Sequence, residues 1–450
     1  MHSRQRLSRL RSMDQVSQPR RHVMNGTSHI LDPAVARSLL HELGESSTAF
    51  RFEVAPNPCV GAAVLSGSQV VSRGYHRVWG GPHAEVDALR LAAETTVPAS
   101  DWDTMLVTLE PCSSTGKTPA CVDAILKSGI RRVIVGALDP DPRHRGKGLE
   151  ILEAAGVEVL VDPIPCPLKD VAPHFLHWND NERVRRPRPW TIAKWAQTLT
   201  GQLSPPEDIG GGRWISGPTA QAEVHRLRGN VDAIVTGVGT ILHDDPRLTV
   251  RPMGAANPLT VLRAPIRKKA QGQDHLGPMA SSGSSSGSNS GSNSGSNSGS
   301  NSGGPARIIL DSWLRTPPTA RLFDEPGEGE LAGPVVIVAL PGADPIRRRA
   351  LEAAGAVVHT SRGMDRFTLD LRDLWTWLWS EGYQRIMLET GPTLLRNALD
   401  SGFVDQLRIY TGNVRGGEGE SLAPWLTKAK LLERVHRESG QDAALEAFLR

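Results

Sequence analysis

At 450 residues the chain is longer than one hydrophobic core usually serves, so two domains are expected. Lys plus Arg outnumber Asp plus Glu by only 51 to 48 and aromatic residues are 5%, which argues against nucleic acid or an anionic membrane as partner. No apolar run nears the roughly 20 residues that cross a bilayer, and Cys59, Cys112, Cys121 and Cys166 are too few and too scattered for a disulfide framework.

Residues 1–28, Arg-rich and acid-poor, read as a disordered basic tail rather than a targeting segment. A first α/β domain is expected over 29–180. In it GAAVLSGSQVVSRG reads as a hairpin, HAEVDALRLAAE as a helix and DTMLVTLEPC as a strand. CVDAILKSG is a helix closed by Gly129, RRVIVGAL a strand, LEILEAAG a helix closed by Gly156, and VEVLV a strand. Charge, Asn and Pro crowd together in HWNDNERVRRPRPW, which marks a boundary, and a second α/β domain is expected over 188–450. Its pattern runs through a helix from Pro218 to Arg228, strands VDAIVTG, ARIILD and PVVIVAL, helix IRRRALEAAG and strand AVVHT. A helix around LRDLWTWLWSEG, strand RIMLE, helix LLRNALDSG and strand DQLRIYT complete it. The Ser/Gly/Asn-rich stretch within 270–304 buries nothing apolar and is expected to be a disordered insertion. Strand character on both sides of it, in DAIVTGVGTILHDDPRLTVR and RIILDS, suggests one sheet interrupted by an external loop.

Chemistry concentrates in GGPHAEVDAL and, downstream, TLEPCSSTGKTPACVDAIL. His83 and Glu85 are two apart, so on a helix flank they would face nearly opposite ways; only over the helix end can they share a site. Cys112 follows a strand, and Cys121 opens the next helix, for which Thr118 offers a cap and Pro119 a first residue. One imidazole and two thiolates make a three-ligand zinc site with an open position for water, whose pKa falls to about 7. Glu85, which does not bind metal, suits the proton transfers of hydrolytic deamination. Taken singly, each of these residues reads better as ordinary core or surface; their order and their places at element ends favour zinc. Cys59, in a strand-like apolar run, reads as a core thiol rather than a fourth ligand.

PNPCVGAAV, RGYHRVWGGPHAEVDAL, the C-x8-C loop with GKTP inside it, DPDPRHRGKGLEIL, RWISGPTAQAEVHRLR, IILDS, LETGPTL and VDQLRIY together resemble the bifunctional riboflavin-biosynthesis deaminase/reductase family. The resemblance implies an N-terminal cytidine-deaminase-like three-layer α/β/α domain and a C-terminal dihydrofolate-reductase-like α/β domain. It further implies zinc-dependent removal of the 2-amino group from a phosphoribosylated diaminopyrimidinone, then reduction of ribosyl to ribityl by NADPH. By resemblance His83, Cys112 and Cys121 hold Zn2+ and Glu85 moves protons, while Asn57, His76, Lys117 and Asp139 contact pyrimidine and ribose phosphate. NADPH falls to Gln197, Trp214, Thr240, Asp244, Ser312, Gly391, Pro392, Thr393, Leu394, Leu395, Arg396 and Asn397; the sugar phosphate falls to Gly212, Arg228, Leu248, Arg251 and Glu389. A cytoplasmic homo-oligomer acting on a phosphorylated pyrimidine, with no nucleic-acid or membrane partner, is the expected setting.

Three substitutions depart from the family pattern: Thr200 where an Asp is usual, Ser114 for a His, and Asp141 for an Asn. The Thr200 substitution motivates one alternative, a deaminase whose reductase half has drifted. A nucleic-acid base deaminase is another, weakened by the near-neutral charge.

Overall fold

The computed structural model describes residues 31–162, 168–178, 188–206, 214–251 and 303–449. The basic tail, most of the 270–304 insertion, Gly212 and Cys166 lie outside the described residues.

The first sheet has five strands, β1 (Gly61–Ser66), β2 (Gln69–Tyr75), β3 (Thr104–Val107), β4 (Arg132–Val135) and β5 (Glu158–Val161), in the order β2-β1-β3-β4-β5. β1 is antiparallel to both its neighbours, while β3, β4 and β5 are parallel. Two-residue periodicity sets the layers. Ala62, Val64, Met105, Val107, Val133 and Val135 pack with apolar residues of the Ala84–Ala93, Cys121–Ser128 and Lys147–Ala154 helices. The alternate residues Ala63, Leu65, Leu106 and Ile134 pack with Ala36, Leu39, Leu40 and Leu43 of the Pro33–Ser47 helix. The result is a three-layer α/β/α domain. Gly74 of β2 lets the Ala84–Ala93 helix sit close, since a Cβ there would come within 2.1 Å of the Ala88 nitrogen.

The second sheet has nine strands in the order β10-β9-β8-β7-β11-β6-β12-β14-β13. They are β6 (Trp190–Gln197), β7 (Ala233–Gly237), β8 (Ala306–Leu310), β9 (Val335–Ala339), β10 (Val357–Thr360), β11 (Arg385–Leu388), β12 (Gln406–Thr411), β13 (Leu431–Ser439) and β14 (Asp442–Leu449). The run from β10 to β12 is parallel, and β14 and β13 close one edge antiparallel. β7 and β8 pair directly, so the chain before and after the insertion belongs to one sheet.

Two local expectations are corrected. The VGTILHD stretch after β7 is a helix, Val238–Asp244, with Val238 and Ile241 three apart on its buried side; so short an apolar run does not distinguish strand from helix by itself. Thr118 does not cap the Cys121–Ser128 helix, whose N-cap is Ala120. The Cys121 amide, at the helix start, donates to Cys112 Sγ at 3.3 Å instead.

The two halves are stitched together. Phe52 and Ala55 lie in the same core as Trp190, Tyr410 and Phe448 of the second sheet. Arg385, fully buried, donates to the Phe52 and Glu53 carbonyls at 2.9 Å each, and Arg408 reaches Glu53 at 2.9 Å. Among the described residues no helix is long and apolar enough to cross a membrane.

Candidate active sites

The glycine-proline turn before the Ala84–Ala93 helix makes His83 its N-cap residue and puts Glu85 in its first turn. Both side chains line one cavity of about 210 Å³ with Asn57, His76, Cys112, Ser114, Asp139 and His144. His83 Nδ1 lies 3.5 Å from Cys112 Sγ and 3.3 Å from Cys121 Sγ, and the three donor atoms all fall within 4.8 Å of one another. Tetrahedral zinc, with bonds of about 2.0 Å to nitrogen and 2.3 Å to sulfur, needs ligand–ligand edges of roughly 3.5 Å. The set fits zinc, and it leaves one tetrahedral corner for solvent.

The electrostatics suit that ion. A hydrogen bond from Cys121 holds the Cys112 thiol down at about 4 against the upward push of burial, and the same bond pushes the Cys121 thiol up. One proton lies between two sulfurs that a cation would fully ionise. Burial pushes the Glu85 carboxyl up, with the charge of His83 opposing, so this carboxyl holds a proton more readily than a solvated one. Burial, then the charge of His83, lowers His76 to about 3 and keeps its ring neutral. The Pro82 carbonyl can only accept, so His76 Nδ1, 2.9 Å away, carries the proton. His76 Nε2 therefore accepts from the Asn57 amide at 3.1 Å. That bond fixes which way the Asn57 amide turns. Asp139 is placed by Glu110, a buried carboxylate that accepts from the backbone nitrogens of Asp139, Gly146 and Gly148 at 3.0–3.2 Å. Burial also raises the Asp139 carboxyl.

A second, larger site lies beyond the carboxyl ends of the parallel strands, where Ala196, Gly237, Leu310 and Glu389 follow or end β6, β7, β8 and β11. This is where open α/β sheets place ligands. The cleft, about 2240 Å³, exceeds the roughly 300–1,000 Å³ of a single-ligand pocket. It has room for a dinucleotide beside a sugar phosphate. Arg228 grips Glu389 through two bonds, 3.0 and 3.1 Å, and Lys194 approaches it at 3.4 Å. Burial pushes the Glu389 carboxyl up, but Arg228 and Lys194 together outweigh it and hold it at about 2. On the Pro218–Arg228 helix Gln221, Val224, His225 and Arg228 form one stripe facing the cleft. Burial, aided by Arg228 and Arg251, lowers His225 to about 4.

The cleft gathers Trp214, Thr240, Asp244, Ser312, Gly391, Pro392, Thr393, Leu394 and Asn397, and also Arg228, Leu248, Arg251 and Glu389. It does not gather Leu395, Arg396 or Gln197. Leu395 is fully buried in the core and Arg396 turns to Glu420. Successive helix positions differ by about 100°, so the whole 391–397 run cannot face one ligand. Gln197 is spent between Trp195 Nε1 (3.1 Å) and Thr411 Oγ1 (3.3 Å). In the first site Lys117 is the outlier. Its ammonium sits 3.7 Å above the Trp79 ring and 3.0 Å from Asp232 Oδ1, a buried carboxylate of the C-terminal half that draws the charge away from the cavity. Glu110, His144, Phe175, Lys194 and His225 were missing from the expected sets; the i, i+3 spacing of His225 and Arg228 was the one local signal for any of them. Thr200 lies off the cleft lining and bonds the Gly416 backbone, accepting from its nitrogen at 3.0 Å and donating to its oxygen at 3.1 Å.

Comparison with known proteins places these two sites in context. Residues 189–439 match the RibD C-terminal domain, and residues 39–137 match the cytidine and deoxycytidylate deaminase zinc-binding region. The chain is 32% identical over 367 residues to the riboflavin biosynthesis protein RibD of Aquifex aeolicus, covering 82% of this chain and 84% of the relative. It is also 32% identical over 370 residues to that of Escherichia coli, covering 80% and 83%. Among solved structures it shares the fold of Acinetobacter baumannii RibD, with a TM-score of 0.57 and 24% identity, covering 93% of this chain and all of the other.

Proposed function

Because the chain belongs to the RibD family of riboflavin-biosynthesis proteins, we propose that its two sites act in turn on one phosphoribosylated pyrimidine. The cavity removes the 2-amino group of the diaminopyrimidinone by hydrolysis, and the cleft reduces the ribosyl chain to ribityl with NADPH. The observation that carries this reading is the His83–Cys112–Cys121 triangle with buried Glu85 beside it.

In the cavity, His83, Cys112 and Cys121 hold Zn2+, which when bound acidifies water at its open position. Glu85 takes the first proton of that water and delivers it to the ring nitrogen, then carries the second, from the hydroxyl now on the carbon, to the departing amine, which leaves as ammonia. Asn57, oriented by His76, meets the polar edge of the pyrimidine, and Asp139 meets the ribose. Glu85 itself is buried against the wall of this small cavity, which limits the water that reaches it. In the cleft, NADPH supplies the hydride. The start of the Pro392–Asp400 helix offers backbone N–H groups to a phosphate, and Gly391, its N-cap, leaves open space there. Arg228, Arg251 and Lys194 give the positive charge that orients a phosphorylated sugar, with Glu389 holding two of them in place. The cofactor carries the redox chemistry; the residues only place the sugar against it.

We assign the deaminase domain to 29–180 and the reductase domain to 188–450, a division supported by the two separate sheets. A reducing compartment such as the cytoplasm suits two ligand thiols that must stay unoxidised. A homo-oligomer is the assembly expected for such an enzyme.

The test gives purified protein the diaminopyrimidinone phosphate with and without NADPH, following ammonia and NADPH separately. Ammonia release without NADPH, stopped by a zinc chelator, and NADPH oxidation only after deamination are expected. Ammonia without any NADPH oxidation would leave a deaminase with a silent second half; no ammonia at all would sink the whole reading.

A further inference from the structure

Asn57 is held from three sides, and one of them comes from outside the deaminase sheet. Its nitrogen donates to Val54 O at 3.0 Å and its amide to His76 Nε2 at 3.1 Å. Its carbonyl faces His174 Nε2 at 2.9 Å. His174 is 2% exposed and lies on the short Pro173–Trp178 helix, where its ring stacks on Phe448 of β14 with centroids 4.6 Å apart and planes at 29°. The Trp190 ring meets it edge-on at 6.4 Å. Since a carbonyl only accepts, Nε2 carries the proton and donates. The other ring nitrogen, Nδ1, has no hydrogen-bond partner among the described residues and faces the Glu433 carboxylate of β13 at 3.9 Å. Glu433 sits at the irregularity in the β13–β14 pairing with φ 50°, and Arg51 approaches its carboxylate at 3.5 Å.

Nothing in the deaminase chemistry calls for His174, yet it is buried, ring-stacked on one half of the molecule and hydrogen-bonded to the other. We propose that His174 is a positioning residue for deamination. It passes the location of the C-terminal hairpin, through Phe448 and Glu433, to the Asn57 carbonyl, and so sets where the Asn57 amide meets the pyrimidine. The inference rests on the reading that Asn57 contacts the substrate. Without this donor the carbonyl is a buried, unpaired acceptor, and the turn carrying Asn57 moves to find another partner.

His174→Phe keeps a ring on Phe448 and removes the donor, whereas His174→Gln restores a donor on a side chain of similar reach. The Phe variant is expected to raise KM for the diaminopyrimidinone phosphate about tenfold, the scale of one buried hydrogen bond. Its kcat, its zinc content and its NADPH oxidation on the already deaminated substrate stay within about twofold of the parent. The Gln variant recovers most of the KM. Asn57→Ala checks the underlying reading separately. If Asn57→Ala raises KM and His174→Phe does not, the positioning role alone is overturned; if Asn57→Ala leaves KM untouched, the substrate role of Asn57 falls and takes this inference with it. If His174→Phe damages both activities and His174→Gln rescues neither, His174 is structural and the proposal is wrong.

Discussion

The deaminase cavity takes its polar lining from a short span of chain, Asn57 to His144, with Phe175 added from the helix that bridges the halves. The reductase cleft draws on residues from Lys194 to Gly419, contributed by strand ends, four α-helices and the loops between them. The two glutamates at their centres sharpen the contrast. Glu85 is buried and Glu389 mostly so, yet burial wins at Glu85, where the neighbours are an imidazole and two sulfurs, and raises its carboxyl. At Glu389 the arginine and lysine beside it win and hold it at about 2. One carboxyl is poised to move protons; the other is a permanent anion that aims two cations. Burial alone does not tell a catalytic carboxyl from a scaffolding one: the charge of its neighbours does.

The sharpest break of this comparison is Glu85→Gln. Ammonia release is expected to fall by about two to four orders of magnitude, the usual worth of a positioned acid–base group, while zinc content and NADPH oxidation on deaminated substrate persist. Undiminished ammonia release from the zinc-loaded variant would remove Glu85 from the chemistry. Glu389→Gln is next. It leaves Arg228 and Lys194 without their counter-charge and is expected to lower kcat/KM for the reduction by roughly ten- to a hundredfold with deamination unaltered. An effect on both activities would show that the two sites are not separable in the way their linings suggest.

The seam between the sites has its own pH signature. Glu53, whose burial raises its carboxyl but is outweighed by Arg408 and Arg385, sits at about 2 against an ordinary 4.5. A folded value below the unfolded one means the stabilisation is complete above pH 4.5 and is lost as pH falls toward 2. The side chain is 28% exposed, so the contribution is of order 1–2 kcal/mol. Acid unfolding of Glu53→Gln should accordingly be shallower between pH 4.5 and 2 than that of the parent; identical curves would place the acid sensitivity elsewhere. The smallest effect is expected at Thr200, which lies off the cleft. Thr200→Ala should change NADPH oxidation by less than about threefold, and a larger loss, measured at saturating NADPH, would return this departure to the reductase machinery.

Legibility followed the same divide. His83, Glu85, Cys112 and Cys121 were readable because a helix end and a strand end put them in one short stretch whose residue types match one ion. The apolar run Ala62–Ala63–Val64–Leu65 likewise made the hairpin strand visible, and both of its faces are buried in cores. The contact of Lys117 with Asp232 was not legible, because the two are 115 residues apart and no local pattern joins them. The Val238–Asp244 helix was hidden by its shortness. The β13–β14 hairpin was overlooked, and with it the ring of Phe448 and the carboxylate of Glu433 that bear on the deaminase from the far end of the chain.

Residue type and spacing were enough to pick out the His83–Cys112–Cys121 set with Glu85 beside it and the two α/β halves, because each shows as residue types placed at the ends of short, recognisable strands and helices. Only the tertiary structure decided that the Phe52–Asn57 segment is gripped by Arg385, Arg408 and His174, that Lys117 belongs to the seam and that Lys194 joins Arg228 on Glu389. Those pairings join residues far apart in sequence, most of them with at least one buried partner, and they form only when packing brings the segments together.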